Sequence, residues 1–127
     1  MSRKNISSGT EWEDLIGYSR AIKIGNRLEF AGTTAVDGHK VISPGDFYDQ
    51  TKYILTELEK IALAHGFTFQ DVIRTRVYVT SIGKWEEVSK AHSEFFKDVK
   101  PVSTMVEVSA LIHPDIVVEI ELSLEKA

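Results

Sequence analysis

Apolar and polar residues alternate with a period of two across 100–111 and again across 116–124, so both stretches read as strands. In the first, Val102, Thr104, Val106, Val108 and Ala110 share one face, and Ser103, Met105, Glu107 and Ser109 share the other. In the second, Ile116, Val118, Ile120, Leu122 and Leu124 oppose Val117, Glu119, Glu121 and Ser123. The second run is expected to be a central strand, with two carboxylates projecting from one of its faces. Carboxylates are costly to bury in a sheet unless cations or hydrogen bonds meet them. That face therefore lines a site, meets a partner chain or is solvated.

Upstream, residues 1–10 are polar and unpatterned and are expected to form a mobile arm, with Trp12, Leu15 and Ile16 as the first apolar anchors. Alternation over 19–24 and 27–31 around Gly25-Asn26 predicts a hairpin. Pro44-Gly45-Asp46 leads into a helix over 47–65. There Phe47, Thr51, Ile54, Leu58, Ile61 and Ala62 recur at three- and four-residue steps before Gly66 stops it. A strand over 72–80 places Ile73, Thr75, Val77 and Val79 opposite Arg74, Arg76 and Tyr78, and a second helix over 84–97 gathers Trp85, Val88, His92, Phe95 and Phe96 on one side. The order β-β-α-β-α-β-β has no repeat and no linker. It predicts a single α+β domain over 1–127, with two helices on one face of a mixed sheet. The other face, carrying Arg74, Arg76, Glu107, Glu119 and Glu121, is expected to be covered by self-association.

Composition narrows the function classes. The chain has 127 residues, 43% of them hydrophobic, which is enough for a real core, and a net charge of -4 with scattered basic residues, which argues against nucleic acid as a partner. With no cysteine there is no thiolate nucleophile, disulfide or Cys-ligated zinc. No apolar run matches a signal peptide or a membrane span, so a cytoplasmic protein without a membrane partner is expected. The eight glycines lie in separate turns, without a phosphate loop, nucleophile elbow or dinucleotide fingerprint. His39, His65, His92 and His113 are too scattered to predict a metal site, and no cofactor is expected. His92, on the apolar side of its helix, reads as a hydrogen-bonded core histidine or as a ligand contact. Glu119 and Glu121 read as carboxylates neutralised by Arg74 or Arg76, or as site groups. On the residues alone, the reading reaches an oligomeric domain with an acidic cleft between subunits.

A set of short signals extends it. They are Gly17-Tyr18, Ile24-Gly25-Asn26, Phe30-Ala31-Gly32, Gln50 with the helix end Ala64-His65-Gly66, Asp71-Val72-Ile73-Arg74-Thr75, Phe95-Phe96, Pro101, Val106-Glu107-Val108 with Leu111, and Val118-Glu119-Ile120-Glu121. In this order and spacing the chain resembles the reactive intermediate deaminase (RidA, YjgF-type) family over nearly its whole length. The resemblance implies a chorismate-mutase-like fold assembled as a homotrimer. It also implies a small-molecule ligand bound in three clefts between subunits, and cofactor-free hydrolysis of imines and enamines to a carbonyl compound and ammonia. Such a site must hold water against the imine carbon, move a proton to the departing nitrogen and fix the substrate. By the same resemblance, Glu119 is the catalytic group and Tyr18 a cleft tyrosine, while backbone groups approach the ligand at Gly32, beside Thr33. Ser89 stands where the best-known members have asparagine, and Thr104 where they have a small polar residue. His92 and Arg76 are added as substrate-binding candidates on the residues themselves, Arg76 at a position where the family more often has a small residue.

Ser103 departs from the pattern, because deaminating members carry there an arginine that grips the substrate carboxylate. Its absence implies altered specificity, with Arg76 as a compensating cation or as a structural partner of Glu107 or Glu121. The alternative function is a non-catalytic, metabolite-binding or regulatory trimer.

Overall fold

A computed structural model describes residues 2–127. Along the chain run β1 (Arg3–Ile6), α1 (Glu11–Ile16), β2 (Ala21–Ile24), β3 (Arg27–Phe30), β4 (Val36–Asp37), β5 (Lys40–Val41), α2 (Phe47–Ala64), β6 (Val72–Val79), α3 (Trp85–Phe96), β7 (Val102–Glu107) and β8 (Val118–Glu125). Six strands form a mixed sheet in the order β1-β2-β3-β8-β6-β7, and β4 and β5 pair separately. Only β6 and β7 run parallel, joined through α3; the other pairs in the sheet are antiparallel. This is the expected α+β architecture with helices α2 and α3 on one face, augmented by the short α1. No helix among the described residues is long and apolar enough to cross a membrane.

The periodicities account for the core. Leu28, Phe30, Val77, Val79, Ile120, Leu122 and Leu124 project from alternate strand positions onto Ile54, Leu55, Leu58 and Ala62 of α2 and Val88 and Phe96 of α3. Asp46 caps α2 by accepting a hydrogen bond from the Asp49 amide at 2.9 Å, and Gly25, at φ 58°, supplies the left-handed residue of the β2–β3 turn. Gln50 is fully buried on α2. Its amide nitrogen donates to the carbonyls of Ile42, Ser43 and Asp115 at 3.2, 3.1 and 2.8 Å, and its oxygen accepts from the Val117 amide at 2.9 Å. One side chain thus ties the helix to the segment that leads into β8.

Several expectations need correction. The expected N-terminal arm contains β1, which pairs with β2 from Arg3↔Ile24 to Ile6↔Ala21 and buries Ile6. Trp12, Leu15 and Ile16 do not anchor the chain; they lie on α1 at 51%, 75% and 69% exposure. Trp85, at the start of α3, is likewise exposed. In β6 the register slips between Val72 and Arg74, so Ile73 is an extra, bulged residue turned to solvent, and Val72 takes its place in the core. The strand expected over 100–111 ends at Glu107 and is an edge strand. Its register sets Glu107 beside Val79, on the helix-covered face, away from Glu119. There Glu107 accepts a hydrogen bond from the Ile82 amide at 2.9 Å.

Candidate functional site

On the open sheet face, β8 carries Glu119 opposite Tyr78 and Glu121 opposite Arg76. On its other side β8 meets the chain leaving β3, through paired bonds from the Thr33 amide to the Ile120 carbonyl and back, at 2.9 and 3.0 Å. This bridge brings Gly32 against the Glu119 carboxylate. A Cβ at position 32 would overlap Oε2 of Glu119 and lie 3.0 Å from its Cδ, so a residue without a side chain is what lets the backbone approach. Arg20 ties the rim together. Its Nη1 donates to the Gly32 carbonyl at 2.7 Å and to Thr33 Oγ1 at 3.0 Å, and its Nη2 donates to the Tyr18 hydroxyl at 3.2 Å. With its oxygen serving as an acceptor there, Tyr18 keeps its own proton free to give elsewhere.

Burial, and secondarily the charge of Glu121, push the Glu119 carboxyl above the ordinary carboxylate range against the opposing pull of Arg20. Glu121 accepts from the Tyr78 hydroxyl at 2.8 Å, which holds that phenol above its usual value together with burial. The result is a carboxyl whose protonated and ionised forms are closer in energy than in water, as general acid–base work requires. A concavity of about 640 Å³ opens next to this cluster, lined by Gly17, Tyr18, Ser19, Ile22, Glu29 and Ala31 among others; Glu119 lies outside its wall.

A second group lies on the opposite face of the sheet, between α3 and the edge strand β7. Ser103 neighbours Thr75 in the parallel register, and Thr75 Oγ1 is 2.7 Å from Ser103 Oγ and 2.9 Å from His92 Nε2. Burial lowers the His92 pKa, favouring a neutral imidazole. Ser89 lies one helical turn before His92, on the same side of α3.

The predicted residues therefore separate. Tyr18, Gly32, Thr33 and Glu119 come together; Ser89, His92 and Ser103 form another group across the sheet; Arg76 and Thr104 are side-by-side in register on the open face. Arg76 is exposed, and its cross-strand neighbour Glu121 is bonded to Tyr78. Arg20, Thr75 and Tyr78 are site neighbours that the sequence pattern does not mark as functional. For Arg20 a signal existed, since it stands two residues after Tyr18 at the start of an alternating strand. Among the described residues, no three His, Asp or Glu side chains converge as a metal site would require.

Gly32→Ala tests the close approach. The backbone at Gly32 is not left-handed, so alanine is expected to cost about 1 kcal/mol or less in stability. Its methyl should push the flexible Glu119 carboxyl toward water. A carboxyl titration followed by NMR should show the Glu119 pKa falling toward its ordinary value, and an unchanged titration would contradict the packing described.

Residues 10–125 match the sequence model of the family described as Endoribonuclease L-PSP. An uncharacterized protein of Streptomyces coelicolor is 38% identical over 120 residues, which is 94% of this chain and 89% of the relative. A RutC family protein of Pyrococcus horikoshii is 37% identical over 105 residues, 82% of each. A crystal structure from Mycobacterium tuberculosis, of a member of the YjgF/YER057c/UK114 family, superposes with a TM-score of 0.88 at 42% identity. It covers 98% of this chain and 100% of that one.

Proposed function

This chain belongs to the Endoribonuclease L-PSP (YjgF-type) family, and we propose that it is a trimeric, cofactor-free hydrolase of small imines and enamines, acting in clefts between copies. The observation that carries this reading is Glu119: a half-buried carboxyl with a raised pKa, held against the Gly32 backbone beside a tyrosine with a free proton. The separation of the two groups of residues across the sheet supports the inter-subunit part. Side chains on opposite faces of one sheet can share a ligand only if one group comes from a neighbouring copy.

In the proposed reaction, protonated Glu119 gives its proton to the imine nitrogen, which makes the carbon electrophilic. The carboxylate left behind takes a proton from water as the water oxygen bonds to that carbon, forming a carbinolamine. A second transfer, from Glu119 to nitrogen, lets the C–N bond break, and ammonia departs as the hydroxyl returns its proton to the Glu119 carboxylate and becomes the carbonyl. Tyr18 donates to the substrate, and Arg20 is a positioning residue that holds Tyr18, Gly32 and Thr33 in one arrangement. RNA is the poorer fit as a substrate, because Glu119 and Glu121 would face phosphates in a chain of net charge -4.

The second reading, a trimer that binds a metabolite without turnover, is favoured by one observation: position 103 offers a hydroxyl and no charge with which to align a substrate tightly. Imine released by an amino-acid oxidase and trapped as its semicarbazone separates the two. The hydrolase should shorten the lifetime of the imine, and a pure binder should leave it unchanged. In the same samples the protein should sediment as a trimer at micromolar concentration; a monomer would undo the shared cleft.

A further inference from the structure

Resting on the imine-hydrolase reading, we infer that the exposed Ser103 hydroxyl, between α3 and β7, meets an uncharged, hydrogen-bonding group of the substrate, such as an amide, carbonyl or hydroxyl. Ser103, Thr75 and His92 are the specificity-determining residues. The three form a continuous hydrogen-bonded chain from an exposed hydroxyl, through a fully buried one, to a half-buried imidazole packed 4.7 Å from the Phe96 ring. Each link can run in either direction. When Nε2 carries the imidazole proton, His92 donates to Thr75, Thr75 donates to Ser103, and the Ser103 proton turns outward. With the proton on Nδ1, Ser103 donates to Thr75, Thr75 donates to Nε2, and the lone pairs of Ser103 face outward. The exposed end can thus give or accept a hydrogen bond through a change of tautomer, with no net charge formed.

The surroundings disfavour a carboxylate. On the same faces of the flanking elements stand Val77 of β6, Met105 and Glu107 of β7, and Trp85 and Ser89 of α3, which include a negative charge and no cation. The nearby lysines of α3 and its lead-in are engaged elsewhere: Lys90 lies 5.3 Å over the Tyr48 ring, and Lys84 pairs with Glu87 at 3.3 Å. Burial of His92 keeps the imidazole neutral, which agrees with this picture.

The test compares 2-iminopropanamide with 2-iminopropanoate, each generated in place, alongside NMR of the His92 ring during titration with pyruvamide and with pyruvate. The expected result is a kcat/KM at least tenfold higher for the amide, a preference lost in Ser103→Ala and in Thr75→Val, and His92 signals that move with pyruvamide but not with pyruvate. If neither imine is hydrolysed and pyruvamide still moves His92, the hydrolase reading fails and the neutral subsite stands. An equal or reversed preference, or His92 signals that respond to pyruvate or to neither compound, would overturn the inference.

Discussion

Glu119→Gln is expected to lower imine hydrolysis by about a hundredfold or more, up to about 10⁴-fold, without loss of stability at neutral pH. The two halves of this expectation come from one cause. Because burial and Glu121 raise the folded-state pKa of Glu119 above its unfolded value, the favourable contribution of this group is complete below the unfolded pKa and is lost as pH rises through the folded one. Wherever Glu119 is ionised, the wild type therefore holds a desolvated charge that glutamine removes. Denaturant midpoints measured across pH should bring the two proteins together in acid and show the variant equal or more stable above that range. A stability loss at neutral pH would make Glu119 a paired structural carboxylate, and full activity in the folded variant would remove it from the site.

Gln50→Leu should destabilise the fold by about 3–5 kcal/mol, because leucine leaves the Val117 amide and three carbonyls without the partner that now serves them all. For a chain of this size, that corresponds to a fall in melting temperature of about 10–20 °C. Gln50→Glu should be worse still, since it directs a carboxylate at the oxygens of Ile42, Ser43 and Asp115. A thermal melt within a few degrees of wild type for either variant would show that water or a rearranged loop replaces these bonds.

Sequence patterning revealed the central elements because each buries one face. The alternation in β8 and the three- and four-residue steps in α2 are direct imprints of the core, and Glu119 stood out as a carboxylate amid that alternation. β1 escaped because an edge strand with one buried residue, Ile6, leaves little hydrophobic trace. Ile73 departs from the expected phase because a bulge breaks the period-two rule without any change in composition. Trp12, Leu15 and Ile16, and Trp85 on the expected packing side of its helix, show the same limit from the other side, since size and apolarity alone do not say which residues the fold leaves uncovered. At the site, the resemblance supplied Tyr18, Gly32 and Glu119, but the separation of Ser103 from Glu119 needed the strand register. Arg20 and Thr75 act through hydrogen bonds to groups distant in sequence, which no local pattern encodes.

The strand order also has a consequence for how the molecule forms. β8 follows every other element in sequence and lies between β3 and β6, joining the hairpin side of the sheet to the β6–α3–β7 crossover. Until it is in place, these two portions each present an unpaired edge and share no strand pairing in the sheet. Closing the sheet therefore depends on contacts of high sequence separation, which form slowly and leave earlier species prone to associate. Glu119 is carried by that same strand, so a nascent chain that has not yet inserted β8 lacks both a finished sheet and the acid–base group.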